Sequence, residues 1–195
     1  MKLKMVLAML ALSLTVLLSG CGYNTMQANE EKVKQAWGDV ESAYQRRADL
    51  VPNLVTVVKA YAKHERETLT AVTEARAKVG EVKLSVDSLD DPQALAKFQA
   101  AQGALGNTLS RLMAVVERYP DLKANQNFQD LQSQLEGSEN RINVARERYN
   151  KAVATFNTSI RVFPNNLTNN FMLHLKLKEP FKADEGAAKA PKVEM

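Results

Sequence analysis

A chain of 195 residues with a formal net charge of +4 and 45% hydrophobic residues has the length of one domain and lacks the concentrated basic excess of a nucleic-acid binder. Its single cysteine, Cys21, excludes a disulfide framework and a cysteine-based metal site.

The chain begins Met-Lys-Leu-Lys, continues with an uncharged apolar run from Met5 to Leu18, and then reads Ser19, Gly20, Cys21. A basic start, a short apolar stretch and small residues are the layout of a signal peptide. The apolar run is shorter than the roughly 20 residues a helix needs to cross a hydrocarbon core. Leu18-Ser19-Gly20-Cys21 resembles the lipobox of bacterial lipoprotein precursors. That resemblance implies diacylglycerol on the Cys21 sulfur, followed by cleavage between Gly20 and Cys21, with palmitate among the acyl chains carried. An ordinary membrane helix ending near a cysteine is the alternative, and both attach the chain to a membrane. Losing residues 1–20 removes Lys2 and Lys4 and leaves a nearly neutral body, so nucleic acid is set aside as a partner.

After residues 21–30, expected as the lipidated N-terminus and a short tether, the composition turns to helix formers, with Pro52, Pro92 and Pro120 the only prolines before residue 161. Val33, Trp37, Val40, Tyr44, Arg47 and Val51 follow at steps of three and four, then Leu54 or Val55, Val58, Leu69, Val72 and Val79. This period crosses Pro52, which predicts a long helix kinked or broken near Pro52; a kink is favoured over two antiparallel helices because no turn cluster precedes the proline. Residues 80–91 lose the period and read as a connection. Leu95, Phe98, Gln102, Leu105, Leu109, Leu112, Val116 and Tyr119 mark a second helix, with Asp91 as N-cap and Pro92 at its first position. A third is expected from about Asp121 to Phe163, on Phe128, Leu131, Leu135, Ser138, Ile142, Ala145, Tyr149, Ala152, Phe156, Ser159 and Phe163. Its end is set by Pro164. The predicted fold is all-α: an antiparallel up-and-down bundle of three to four long helices over residues 31–172, with a disordered tail at 173–195.

Catalytic constellations are missing from the sequence. His64-Glu65-Arg66-Glu67-Thr68 starts like a zinc-protease helix but has Thr68 where the second histidine ligand belongs, so neither a metal nor another cofactor is expected. Gly103 and Gly106 lie within a helix rather than in a phosphate-binding loop. Two groups of polar residues fall beside the apolar stripes: Arg47, Asn53, Glu74 and Arg76 on the first helix, and Asn140, Arg141, Arg146 and Asn150 on the last. They serve either as interhelical bonds that fix register or as a polar groove for a peptide or partner helix.

Arg46 to Arg76 (RRADLVPNLVTVVKAYAKHERETLTAVTEAR), Tyr119 to Val153, with its ENRI..AR..YN pattern, and Phe156 to Leu167 (FNTSIRVFPNNL) together resemble the LemA family over nearly the whole body. The resemblance implies a membrane-anchored, extracytoplasmic helical bundle in a family without an established reaction. Family members typically keep an N-terminal membrane helix, which the lipobox replaces here, and the stretch after FPNNL departs from the family's usual Gly/Phe-containing form. The function expected is a non-catalytic interaction or scaffold protein of the cell envelope, held on the lipid membrane through Cys21 and binding an envelope protein. The alternatives are a peptide- or lipid-binding module, or an enzyme with an unrecognised polar site. Gly22 stands where inner-membrane lipoproteins commonly carry Asp, so in a Gram-negative host the outer membrane, facing the periplasm, is expected.

Overall fold

Runs of helix formers broken only at polar turns and prolines give six α-helices and no strand among the described residues. The computed structural model describes the backbone of residues 2–182 and the side chains of residues 4, 5, 9 and 22–182. The lipid site assigned to the Cys21 side chain and the end of the expected tail, 183–195, lie outside the described residues. α1 spans Lys2–Tyr61, α2 Arg66–Glu81, α3 Pro92–Val116, α4 the single turn Pro120–Lys123, α5 Gln126–Arg161 and α6 Asn165–Thr168. A π-helical turn, Asn169–Leu173, follows α6. Among the described residues no helix is long and apolar enough to cross a membrane.

Cross-helix pairs fix the topology. Trp37 meets Phe98 and Tyr149, and Arg47 meets Gln102 and Glu139. Glu65 then meets Arg118. α3 therefore runs parallel to α1 and α5 antiparallel to it, while α2 doubles back along the distal half of α1. This is the expected all-α up-and-down bundle. Asp91 caps α3 as expected, accepting from the Gln93 N–H at 2.8 Å. Every apolar position predicted for α3 from Leu95 to Val116 is buried.

The break near Pro52 is not there. α1 continues through Pro52 and stops at Tyr61, and the reversal falls at Ala62–Glu65, where the Glu65 N–H reaches the Ala62 carbonyl. Two antiparallel helices do form, but they part at residues 62–65 and not at Pro52. A mid-helix proline orphans the carbonyl four residues earlier, here Ala48, and the Arg76 Nε on α2 donates to that oxygen at 3.1 Å. Val51 and Leu54, almost wholly buried on either side of Pro52, hold the helix on its path.

Three other boundaries shift. α5 starts at Gln126 with Asn125 as its cap, accepting from the Phe128 N–H at 3.1 Å, because Pro120–Lys123 forms its own turn and takes Asp121 with it. It ends at Arg161, and near that end Val153 and Ile160 are buried where Ala152 is only half-buried. Residues 22–30 are helix rather than tether, since Met26 and Asn29 are buried against the bundle. Residues 173–182 are not loose: His174 turns the chain in the left-handed region (φ 51°), and 175–182 return along α5 as an extended strap with Phe181 buried.

The core has two parts. A proximal cluster gathers Met26 to Tyr44 of α1, the start of α3 and Ile142 to Ile160 of α5, together with Leu84, Leu89 and Phe181. A distal cluster gathers Val51 to Ala62, α2, Leu105 to Val116 and Phe128 to Leu135. α2 covers only the distal half. In the proximal half its place is taken by the 82–91 connection and the strap.

If Arg76 replaces the bond that Pro52 removes, the two positions are coupled. Arg76→Ala should cost about 1–2 kcal/mol in chemical denaturation and markedly less in a Pro52→Ala background, where the backbone N–H restored at that position can serve the Ala48 carbonyl. Additive losses would show that the Arg76 bond is incidental.

Candidate functional site

The eight polar residues singled out in the sequence are not brought together at one groove. Arg47 sits in the interior at 5% exposure, in the gap between the two apolar clusters. Its Nη2 donates to the Gln102 backbone oxygen at 3.0 Å and to the Gln102 Oε1 at 2.9 Å, and its Nη1 to Glu139 Oε2 at 3.0 Å. The guanidinium also lies 5.2 Å from the Tyr44 ring centroid. One cation thus ties α1, α3 and α5 at a single level. Gly106 leaves room for it, with Arg47 Nη1 3.8 Å from where a Cβ would stand, whereas Gly103 faces open space.

The remaining seven are dispersed. Arg76 serves Ala48. Asn53 is exposed on the outer side of α1, and Glu74 lines a shallow groove between α1 and α2 with Lys59, Lys63 and Arg66. Asn140 and Arg141 border a separate shallow groove between α1 and α5 with Asp39, Arg46 and Arg148. Arg146 and Asn150 belong to a third arrangement that holds the strap.

That arrangement is a ladder of asparagines. Asn150 donates to the Phe181 carbonyl at 3.1 Å and accepts the Phe181 N–H at 2.8 Å. Asn157 does the same with Lys178 (2.8 and 2.9 Å), and Asn169 with Leu175 (3.1 and 2.8 Å). Each side-chain amide pairs with both backbone groups of one extended residue, as a neighbouring strand would. The spacing works because seven helical residues rise about 10.5 Å, close to the roughly 10 Å covered by three extended residues. Arg146 donates to the Lys182 carbonyl at 2.9 Å and places its guanidinium 5.1 Å from the Phe181 ring centroid. On the other flank the Glu179 N–H reaches the Leu89 carbonyl and Lys176 pairs with Asp90 at 3.1 Å; that hydrogen bond holds the Asp90 carboxyl below its ordinary range. Phe181 enters an aromatic cluster with Trp37, stacked at 6.0 Å, and Tyr149, edge-on at 5.3 Å. The Tyr149 hydroxyl donates to the Glu179 carbonyl, and burial first, the Glu179 charge second, pushes its pKa far up. It therefore stays a donor at any physiological pH.

Gln102, Asn157, Asn169 and Phe181 were not among the residues singled out. One signal for the ladder was present: Tyr149-Asn150 and Phe156-Asn157 repeat an aromatic followed by asparagine at a spacing of seven. Two concavities flank the Arg47 layer, both open to solvent: one of about 480 Å³ between α1, α3 and α5, lined by Arg47, Gly106, Leu109, Leu135 and Glu139, and one of about 360 Å³ between α1, α2 and α3, lined by Glu41, Tyr44, Arg76, Phe98 and Gln102. Among the described residues no cluster of three or more His, Cys, Asp and Glu side chains is placed to hold a metal ion.

Two substitutions probe these arrangements. Gln102→Leu, which strips Arg47 of a buried acceptor, should cost about 1–3 kcal/mol. The double variant Arg47→Met with Gln102→Leu should recover most of that loss, because apolar pairs of similar volume replace buried ionic groups at little cost. A double variant no better than Gln102→Leu would refute this account of the layer. Phe181→Ala should destabilise by about 3–5 kcal/mol and shift the emission of Trp37, the one tryptophan in the chain, to the red. Unchanged emission would mean that the strap does not rest on Trp37 in solution.

Comparison with known proteins adds to this geometry. Magnetosome protein MamQ 2 of Paramagnetospirillum magneticum is 29% identical, with 82% of this chain and 63% of the relative covered. Magnetosome protein MamQ of Magnetospirillum gryphiswaldense is 27% identical over the same shares. Protein LemA of Metamycoplasma hominis is 24% identical over 72% of this chain and 60% of its own length. The chain thus spans less than two thirds of the length of these curated relatives. The LemA family model matches residues 36–195, so the strap segment, which reads as a departure from the family, lies inside the match. With the helical body from Ala36 onward, the Arg47 layer and the strap falling within that match, this chain belongs to the LemA family.

Proposed function

We propose that the chain is a membrane-anchored lipoprotein of the cell envelope, cut between Gly20 and Cys21 and acylated on Cys21, whose helical body is a non-catalytic scaffold for a partner protein. The observation that carries the anchor is Leu18-Ser19-Gly20-Cys21 at the end of an uncharged apolar run. Two or three acyl chains on one residue anchor stably, where one holds only reversibly. The scaffold reading is supported by what the buried polar groups do. Arg47, Gln102, Asn150 and Asn157 are engaged with one another or with backbone, and the concavities beside Arg47 and Gln102 are open to solvent. Outer-membrane placement in a Gram-negative host follows from Gly22 at the second position of the processed chain.

One observation favours a retained N-terminal membrane helix instead: α1 runs without interruption from Lys2 to Tyr61. Intact mass of the membrane-extracted protein separates the two. Loss of residues 1–20 with gain of acyl mass is expected, and an unprocessed, unlipidated chain rules the lipoprotein out. Crosslinking in intact cells should repeatedly trap the same envelope protein; a free monomer under every mild condition would remove the scaffold role.

A further inference from the structure

The membrane-side end of the bundle carries an apolar cap. After α5 the chain passes through a cis Phe163–Pro164 peptide into α6 and the π-helical turn, and then reverses at His174. Phe163, Leu167 and Phe171 recur at a spacing of four, and Met172 adjoins the last of them. Their exposures are 79%, 47%, 80% and 67%. On the opposite side of this segment Asn169 is buried and clamps Leu175. The segment is thus fixed to the bundle by its polar side and shows its apolar side to the outside, the reverse of an ordinary surface turn.

Its position identifies what covers it. Asn165 of α6 touches α1 at Gly22, so close that a Cβ there would stand 2.3 Å from the Asn165 Oδ1. The cap therefore flanks the point where α1 passes into the apolar run Met5–Leu18. Charge agrees: no carboxylate occurs from Met1 to Asn29 or from Arg148 to Lys178, and Arg161 and Lys178 are cationic, while Lys176 is paired with Asp90. The far end, by contrast, presents Lys63, Glu65, Glu117, Arg118 and Asp121, a mixed-charge surface. Outward-facing apolar residues on a segment that has cations and no acid of its own suit the boundary between acyl chains and anionic headgroups.

The geometry points to insertion of the 163–172 cap into the bilayer interface beside the N-terminal anchor, so that the bundle stands on the membrane by its proximal end with the Ala62–Glu65 and Pro120–Asn125 turns held away from it. The inference rests on N-terminal membrane attachment, through lipid or a retained helix alike. Because residues 22–30 are packed helix, the anchor has no slack, and the cap meets the bilayer whenever the anchor does.

The test uses the full chain in vesicles of phosphatidylethanolamine and phosphatidylglycerol, with the environment-sensitive fluorophore NBD on Phe171→Cys, on Met172→Cys or, at the far end, on Asn127→Cys. The parent chain labelled in parallel gives the Cys21 background. The expected result is blue-shifted emission at 171 and 172 that is quenched by lipids carrying a nitroxide on the upper acyl chain, with water-like, unquenched emission at 127. Flotation of the protein with vesicles while 171 and 172 match 127 overturns the docking and leaves the anchor standing. Failure to float with vesicles overturns both.

Discussion

α1 is buried along one side from Met26 to Ala62, yet α2 reaches back along it only as far as Ala48. A wall of sixteen residues beside a helix with some forty residues in the bundle leaves the proximal core open on one side. Trp37, Phe98 and Tyr149 would face water there, a loss of the order of several kcal/mol for aromatic groups of this size. The strap closes the gap. Its backbone lies against α5 and would otherwise bury unpaired N–H and C=O groups, and the asparagines at 150, 157 and 169 answer that need at intervals of three extended residues.

The Arg47 layer does a different job. Placed between two apolar clusters, it makes the sliding of one helix against another costly, since a one-turn slip of α3 or α5 would strand a buried guanidinium away from Gln102 and Glu139. Apolar stripes alone tolerate such slips, because each turn of the seam resembles the next. Pro52 and Arg76 work in the same direction by pairing a particular turn of α2 with a particular turn of α1.

These features give the molecule two unlike ends. The distal end is polar, with Glu65 receiving Arg118 and the Tyr119 hydroxyl, and the proximal end shows the apolar side of the 163–172 segment, which carries no carboxylate. From Gly22 onward the bundle packs through its own contacts.

Helices, their apolar faces and the Asp91 cap were legible in the sequence because they depend on local propensity and on a period of about 3.6 residues. The family was legible too, through motifs such as RRADLVPNLV. Where α1 ends was not: Pro52 carries the stronger local signal for a break, and it is offset by tertiary contacts, the burial of Val51 and Leu54 and the bond from Arg76, 24 residues further on in a neighbouring helix. The tail misled for the same reason. Residues 175–182 have no helical period and no strand partner in the sequence, and their order comes from side-chain amides on α5 and an aromatic pocket that exists only once α1, α3 and α5 have met. Sequence by itself determined the helices and which face of each is apolar; tertiary structure decided where the chain turns and which buried polar groups find one another, because those depend on partners far away along the chain.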